Sequence, residues 1–198
     1  MLKKIAVGLF SVITLAVVSI LAVAATRPAT YHVERSISIG APPQAVFDVL
    51  NDLHRFPEWS PWQKLDPAMK ITYDGPTSGV GATYSWTGND QVGEGRMTIT
   101  ETTPPTSLSE KLDFLKPFKS TCAVRFDIAP EGDGSRITWG IDGNNNYVSK
   151  VMCLFVSMDK MMGKDFEAGL ASLRQVSEAS AAPAMASPAS ETAAPAKP

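Results

Sequence analysis

Few side chains in this sequence are equipped for chemistry, and two of them are charges standing where a charge is out of place. In VERSISI, Arg35 shares strand parity with Val33 and Ile37, and in SLSEKLDFL, Glu110 shares parity with Leu108 and Leu112. A charge on an apolar face demands a partner, because an ion taken out of water unpaired is costly. If both point inward they can pair with each other or hold a ligand's polar end. A bulge, or snorkelling near a strand end, turns either one to water instead. His32 and His54 fall at a strand start and in a turn, with no spacing that suggests a shared metal. G-x-S-x-G, H-E-x-x-H and P-loop patterns are absent, and GVG and GEG flank hairpins as turn glycines. The sequence therefore assigns no catalytic residue, no metal and no cofactor.

The second unusual stretch is HRFPEWSPWQ, residues 54–63, which sets Trp59 and Trp62 among stiff prolines. Pro57 and Pro61 forbid a long helix there. Large aromatic rings on rigid backbone suit the wall of a binding cavity, since they give contact area at little entropic cost. They equally suit a plug at one end of a core.

These residues need a scaffold, and hydrophobic periodicity describes one. YHVERSISIG (31–40) alternates as a strand, and APPQAVFDVLNDL starts a short helix at its prolines, with Val46, Phe47 and Leu50 on one face. Six more alternating stretches come next, carrying Ile71 and Tyr73, Tyr84 and Trp86, Met97 and Ile99, Leu108 to Phe114, Cys122 to Ile128, and Ile137 to Ile141. Strict alternation of this kind predicts an antiparallel sheet with one buried face. GNNN (143–146) reads as a loop, with Asn146 or Ser149 as a helix cap. One long helix is then expected, because Val151, Leu154, Phe155, Met158, Met162, Phe166 and Leu173 recur at helical spacing. Cys153 falls opposite that stripe, so a disulfide to the inward-facing Cys122 requires the helix to start late or turn; connectivity stays open.

At the N-terminus, Lys3 and Lys4 precede an uncharged run from Ile5 to Ala25. At ~1.5 Å per residue such a helix matches the hydrocarbon thickness of a bilayer. Ala22-Val23-Ala24 has the small-x-small form of a cleavage site, yet the run exceeds a cleavable core of about 7–15 residues, which favours an uncleaved anchor. The lysines keep the N-terminus cytoplasmic, so the chain beyond the run is exported. From Glu178 the chain is rich in Ala, Pro and Ser and reads as a disordered tail. Segment 1–27 is thus the anchor or signal, 28–177 the folded domain and 178–198 the tail. The net charge of −2, with no Lys/Arg cluster beyond the N-terminus, argues against a nucleic-acid partner.

ISIGAPPQAVFDVLNDLHRFPEWSPW, GVGATYSWTGNDQVGEGRMTITE, FLKPF and MDKMMGKDFEAGLASL, in this order, resemble the START-like (Bet v 1-like, SRPBCC) superfamily. The likeness is to its bacterial polyketide cyclase/dehydrase and lipid-transport group, over roughly residues 31–176. The resemblance implies an α+β helix-grip fold, a curved antiparallel sheet of about seven strands around a long C-terminal helix, here preceded by one transmembrane helix. It also implies a deep cavity, and a bacterial inner membrane with the domain on the periplasmic side. It does not imply one activity.

The cavity wall is expected from Trp59, Trp62, Tyr84, Trp86, Met97, Glu110, Leu112, Phe114, Phe126 and Trp139, with Met158, Met162 and Phe166 from the helix. Phe118 in FLKPF is an expected entrance lip. The leading expectation is an anchored domain that binds a hydrophobic small molecule or lipid. The alternatives are a cyclase or dehydratase using Glu110 and Tyr84, and an envelope interaction module with a filled core.

Overall fold

Alternation of apolar and polar residues becomes a single seven-stranded sheet in the computed structural model, which describes residues 2–182. The strands are β1 (Thr30–Ile39), β2 (Lys70–Asp74), β3 (Thr83–Thr87), β4 (Glu94–Thr103), β5 (Ser107–Lys116), β6 (Ser120–Glu131) and β7 (Gly134–Asn144). They lie in the order β1-β7-β6-β5-β4-β3-β2, every pair antiparallel. Short hairpins join β2 through β7, while β1 closes onto β7, so one curved α+β layer forms. Helix α1 (Leu2–Ala25) precedes the sheet, and its Ile5–Ala25 stretch, with a mean hydropathy of 2.6, is long and apolar enough to cross a membrane. Helices α2 (Pro43–Asn51) and α3 (Phe56–Trp59) fill the connection from β1 to β2, and α2 buries Val46, Phe47, Val49 and Leu50.

The single long helix expected over residues 148–176 is two helices. Helix α4 (Tyr147–Met152) is capped by Asn146, whose Oδ1 accepts the Ser149 N–H at 2.8 Å. The chain then turns, and α5 (Met158–Ala181) restarts at Ser157, whose hydroxyl accepts the Lys160 N–H at 3.3 Å. A hydroxyl able to satisfy the first free N–H groups makes Ser157 a better start than an interior position. The stripe therefore splits: Phe166 and Leu173 are buried, whereas Phe155, ahead of α5, is 73% exposed.

Helix α5 also outruns the expected domain end at residue 177. Ser177 is buried, and the carboxylate of Glu178 accepts the Gly40 N–H at 2.8 Å, so tertiary contacts hold a turn that composition alone assigned to the tail. The rest of that tail, 183–198, lies outside the described residues. Cys122 and Cys153 are both free thiols; Cys122 is buried, with its sulfur 3.2 Å from the Tyr31 hydroxyl.

Helix α5 seats on the concave face through one aromatic stack. The Phe166 ring lies parallel to Trp139 of β7 at 4.0 Å between centroids, and Phe126 stacks 5.4 Å from the same indole. Trp59 and Trp62 meet Trp139 edge-on at 5.5 and 6.0 Å. Close approach of the helix requires Gly169, where a Cβ would sit 2.8 Å from Trp139 and 3.3 Å from Pro61. Gly169→Val is expected to lower stability by about 1–3 kcal/mol, the usual penalty of forcing extra atoms into a packed core. Urea denaturation of the two proteins measures it, and an unchanged midpoint would show that the helix shifts freely.

Candidate functional site: an apolar cavity beneath the C-terminal helix

Helix α5 lies along β1 and against α2, and between it and the strands further into the sheet is a cavity of about 210 Å³. Period-two alternation sends every second residue of each strand into it. Tyr84 and Trp86 come from β3, Met97 from β4, and Glu110, Leu112 and Phe114 from β5. Phe126 comes from β6 and Trp139 from β7, while Met162 and Phe166 descend from α5 and Trp62 closes one end.

Two of the side chains expected in the cavity wall, Trp59 and Met158, stand elsewhere, and Phe118 was expected only at its entrance. Trp59 is buried behind Trp139, edge-on to Phe56 at 4.9 Å, and packs the core without lining the cavity. Met158 packs on the core outside the cavity wall. Phe118 sits on the β5–β6 turn, 69% exposed.

Strand parity also points to Val124 and Ile141, which complete the wall beside Phe126 and Trp139. No local signal points to Met69, Gln91 or Val92, which reach the cavity from loops. The β3–β4 turn is drawn there because the Trp86 indole N–H donates to the Val92 carbonyl at 3.0 Å. Gly95 makes room for that indole, since a Cβ at Gly95 would overlap the Trp86 ring.

Arg35 and Glu110 both follow the inward parity, yet they do not pair. Arg35 is on an edge strand under α5, where it donates to Asp159 at 2.7 Å and Glu167 at 2.9 Å. Those bonds favour the charged form, raising the Arg35 pKa and lowering that of Asp159. Glu110 is mid-sheet in β5, opposite Val124 and Ile99, only 4% exposed and among apolar neighbours. Burial pushes its carboxyl up to about 8, so near neutral pH it is largely protonated and offers an O–H donor. Tyr84, in the same wall, has a buried hydroxyl with no hydrogen-bond partner among the described residues, and burial raises its pKa as well.

The histidines are remote from these groups. His32 lies exposed between Asp142 at 2.8 Å and Glu34 at 3.3 Å, bonds that raise its pKa, and His54 stacks on Tyr73. Among the described residues no cluster of three metal-binding side chains forms. The site is thus a largely apolar chamber whose polar lining comprises the buried Glu110 and Tyr84 together with Ser60, Gln91 and Asp165. It can hold an apolar group and hydrogen-bond one oxygen, and the acid can give up a proton.

A family described as "Polyketide cyclase / dehydrase and lipid transport" matches residues 30–178. No curated protein matches the chain significantly. Solved structures share its fold at low identity. Protein CV1439 from Chromobacterium violaceum is 15% identical with a TM-score of 0.52, covering 77% of this chain and 99% of that one. Protein MLL2253 from Mesorhizobium loti is 19% identical with a TM-score of 0.53, covering 74% and 95%. Major latex-like protein 151 from Panax ginseng is 13% identical with a TM-score of 0.52, covering 79% and 100%.

The raised Glu110 pKa carries a signed consequence. In the unfolded chain the acid ionises near 4.5, whereas in the fold it holds its proton to about 8. Its burial therefore costs nothing extra at acid pH and destabilises the fold increasingly as pH rises across that interval. Glu110→Gln, uncharged and nearly isosteric, should match the parent near pH 4 and exceed it in melting temperature near pH 9. Identical pH dependence in both proteins would mean that the carboxylate reaches water.

Proposed function

The chain belongs to the polyketide cyclase/dehydrase and lipid-transport family, and on that premise we propose that it binds a hydrophobic small molecule or lipid in the cavity beneath α5. The observation that carries this reading is the apolar cavity itself, lined by Trp86, Met97, Phe126 and Met162 around one protonated carboxyl. Its volume of about 210 Å³ is smaller than the ~300 Å³ typical of the smallest drug-sized sites. The enclosed part of the ligand is accordingly a ring or a short acyl stretch, with the remainder directed to the mouth. A neutral Glu110 and the Tyr84 hydroxyl select a carbonyl, ester or hydroxyl oxygen on the enclosed group, since each would otherwise stay unpaired. Methionine suits such a wall because its unbranched, polarizable chain adapts to several shapes.

In the same reading, α1 anchors the protein in a bacterial inner membrane and the domain stands on its outer side. Lys3 and Lys4 before the apolar run support that orientation. A second reading, cyclisation or dehydration of an enclosed polyketide-like substrate, is favoured by Glu110 alone. A carboxylic acid kept neutral near pH 7 can protonate a departing oxygen or polarise a carbonyl. A void of this size is unfavourable to a filled-core interaction module.

Native mass spectrometry of the detergent-solubilised full chain, beside an organic extract of it, tests the proposal. A stoichiometric apolar compound is expected, and Leu112→Trp, which fills the chamber, should abolish its retention while leaving thermal unfolding cooperative. An empty parent protein that also ignores apolar fluorophores would overturn the binding reading.

A further inference from the structure

Strand register gathers particular segments at one end of the sheet. Thr30 opposes Asn144, Cys122 opposes Gly143, and Phe114 opposes Ser120. The arrival of α1, the start of α4 and the β5–β6 turn therefore share an end, and Glu94 opposite Lys116 adds the β3–β4 turn. The cavity is bordered at this end by Val92, Phe114 and Met162.

Beyond α1, the exposed large apolar side chains concentrate here. Phe118 (69%) projects from the β5–β6 turn, and Val148 (58%), Met152 (50%) and Phe155 (73%) from α4 and the turn after it. The opposite end is acidic, with Glu131 closing β6, Asp133 in the turn to β7 and Asp74 closing β2. Such a cluster on one end of a domain marks an interaction surface.

The geometry of α1 says what that surface meets. Only Thr26–Ala29 separate α1 from β1, a tether of at most about 14 Å when extended. The Tyr147 hydroxyl donates to the Leu21 carbonyl at 2.7 Å, a full turn inside the apolar run. A domain held this closely to a membrane-spanning helix cannot lift its apolar end clear of the bilayer. Tyrosine is well matched to that interface, with an apolar ring and a polar tip. Exposed Arg27 and Lys119 on the same rim suit the phosphates of lipid headgroups.

We propose that this end of the domain, the β5–β6 turn together with α4 and the turn after it, seats in the membrane interface and opens the cavity onto lipid. The ligand is then a membrane-dissolved amphiphile that enters apolar end first without crossing bulk water. The inference rests on the anchored-domain reading above, and its test separates the two.

The full chain carrying Cys153→Ser is reconstituted in phosphatidylcholine–phosphatidylglycerol vesicles, with bimane attached after Phe155→Cys, Phe118→Cys, Asp133→Cys or Ile13→Cys, one at a time. Cys122 is buried and stays unlabelled. Lipids bearing a nitroxide near the headgroup should quench positions 155 and 118 at least threefold more than position 133, and lipids with a deep nitroxide should quench position 13. If 155 and 118 behave like 133 while 13 is quenched, the domain stands off the bilayer and docking is wrong although the anchor is right. If 13 is not quenched, the anchor fails and docking fails with it.

Discussion

The stack of Phe166 on Trp139 is the contact on which the rest of the molecule depends. It joins α5 to β7 at a centroid distance of 4.0 Å, and the indole is braced in turn by Phe126, Trp59 and Trp62. Because Gly169 lets α5 come down on this cluster, the helix is fixed at its middle and toward its C-terminus. Its N-terminal half is held differently, by the Arg35 bonds to Asp159 and Glu167 at the sheet edge. The cavity lies between this helix and the inward side chains of β3 to β7.

Glu110 is the polar residue inside that space for which stability offers no reason. Among the described residues its carboxyl gains no partner, and burial favours its neutral form. A leucine at the same position would serve a solid core better. A buried acid of this kind is therefore a pointer to ligand chemistry, sharpened by the unpartnered Tyr84 hydroxyl in the same wall.

The sheet also has two chemically different ends. Alternate hairpins point toward α1 or away from it, and the bulky exposed apolar side chains mostly follow the first set. The cavity borders, the short tether and the Tyr147 bond to α1 all lie on that side. The same strand register therefore places one border of the cavity and the arrival of the apolar run at one end of the sheet.

Much of this was legible in local pattern. Alternation identified the strands and the inward side chains, so Tyr84, Met97, Leu112 and Trp139 were assignable to the concave face from parity alone, whereas parity left the direction of Glu110 open. The N-terminal apolar run was equally plain, because length and hydropathy are properties of a segment by itself. What periodicity misjudged or left open were points where distant groups compete: the break at Ser157 and the helical turn stabilised by Glu178 meeting Gly40 were missed, and the partner of Arg35, which is α5 and not Glu110, was undecided. Trp59 and Trp62 looked equivalent in sequence, yet one packs the core and the other lines the cavity, and Val92 entered the wall through a hydrogen bond to Trp86. Sequence by itself determined the elements and their buried faces, because those follow from local period. Partners, cavity volume and the shared end of the sheet were decided only in three dimensions, because they depend on which segments the strand register brings together.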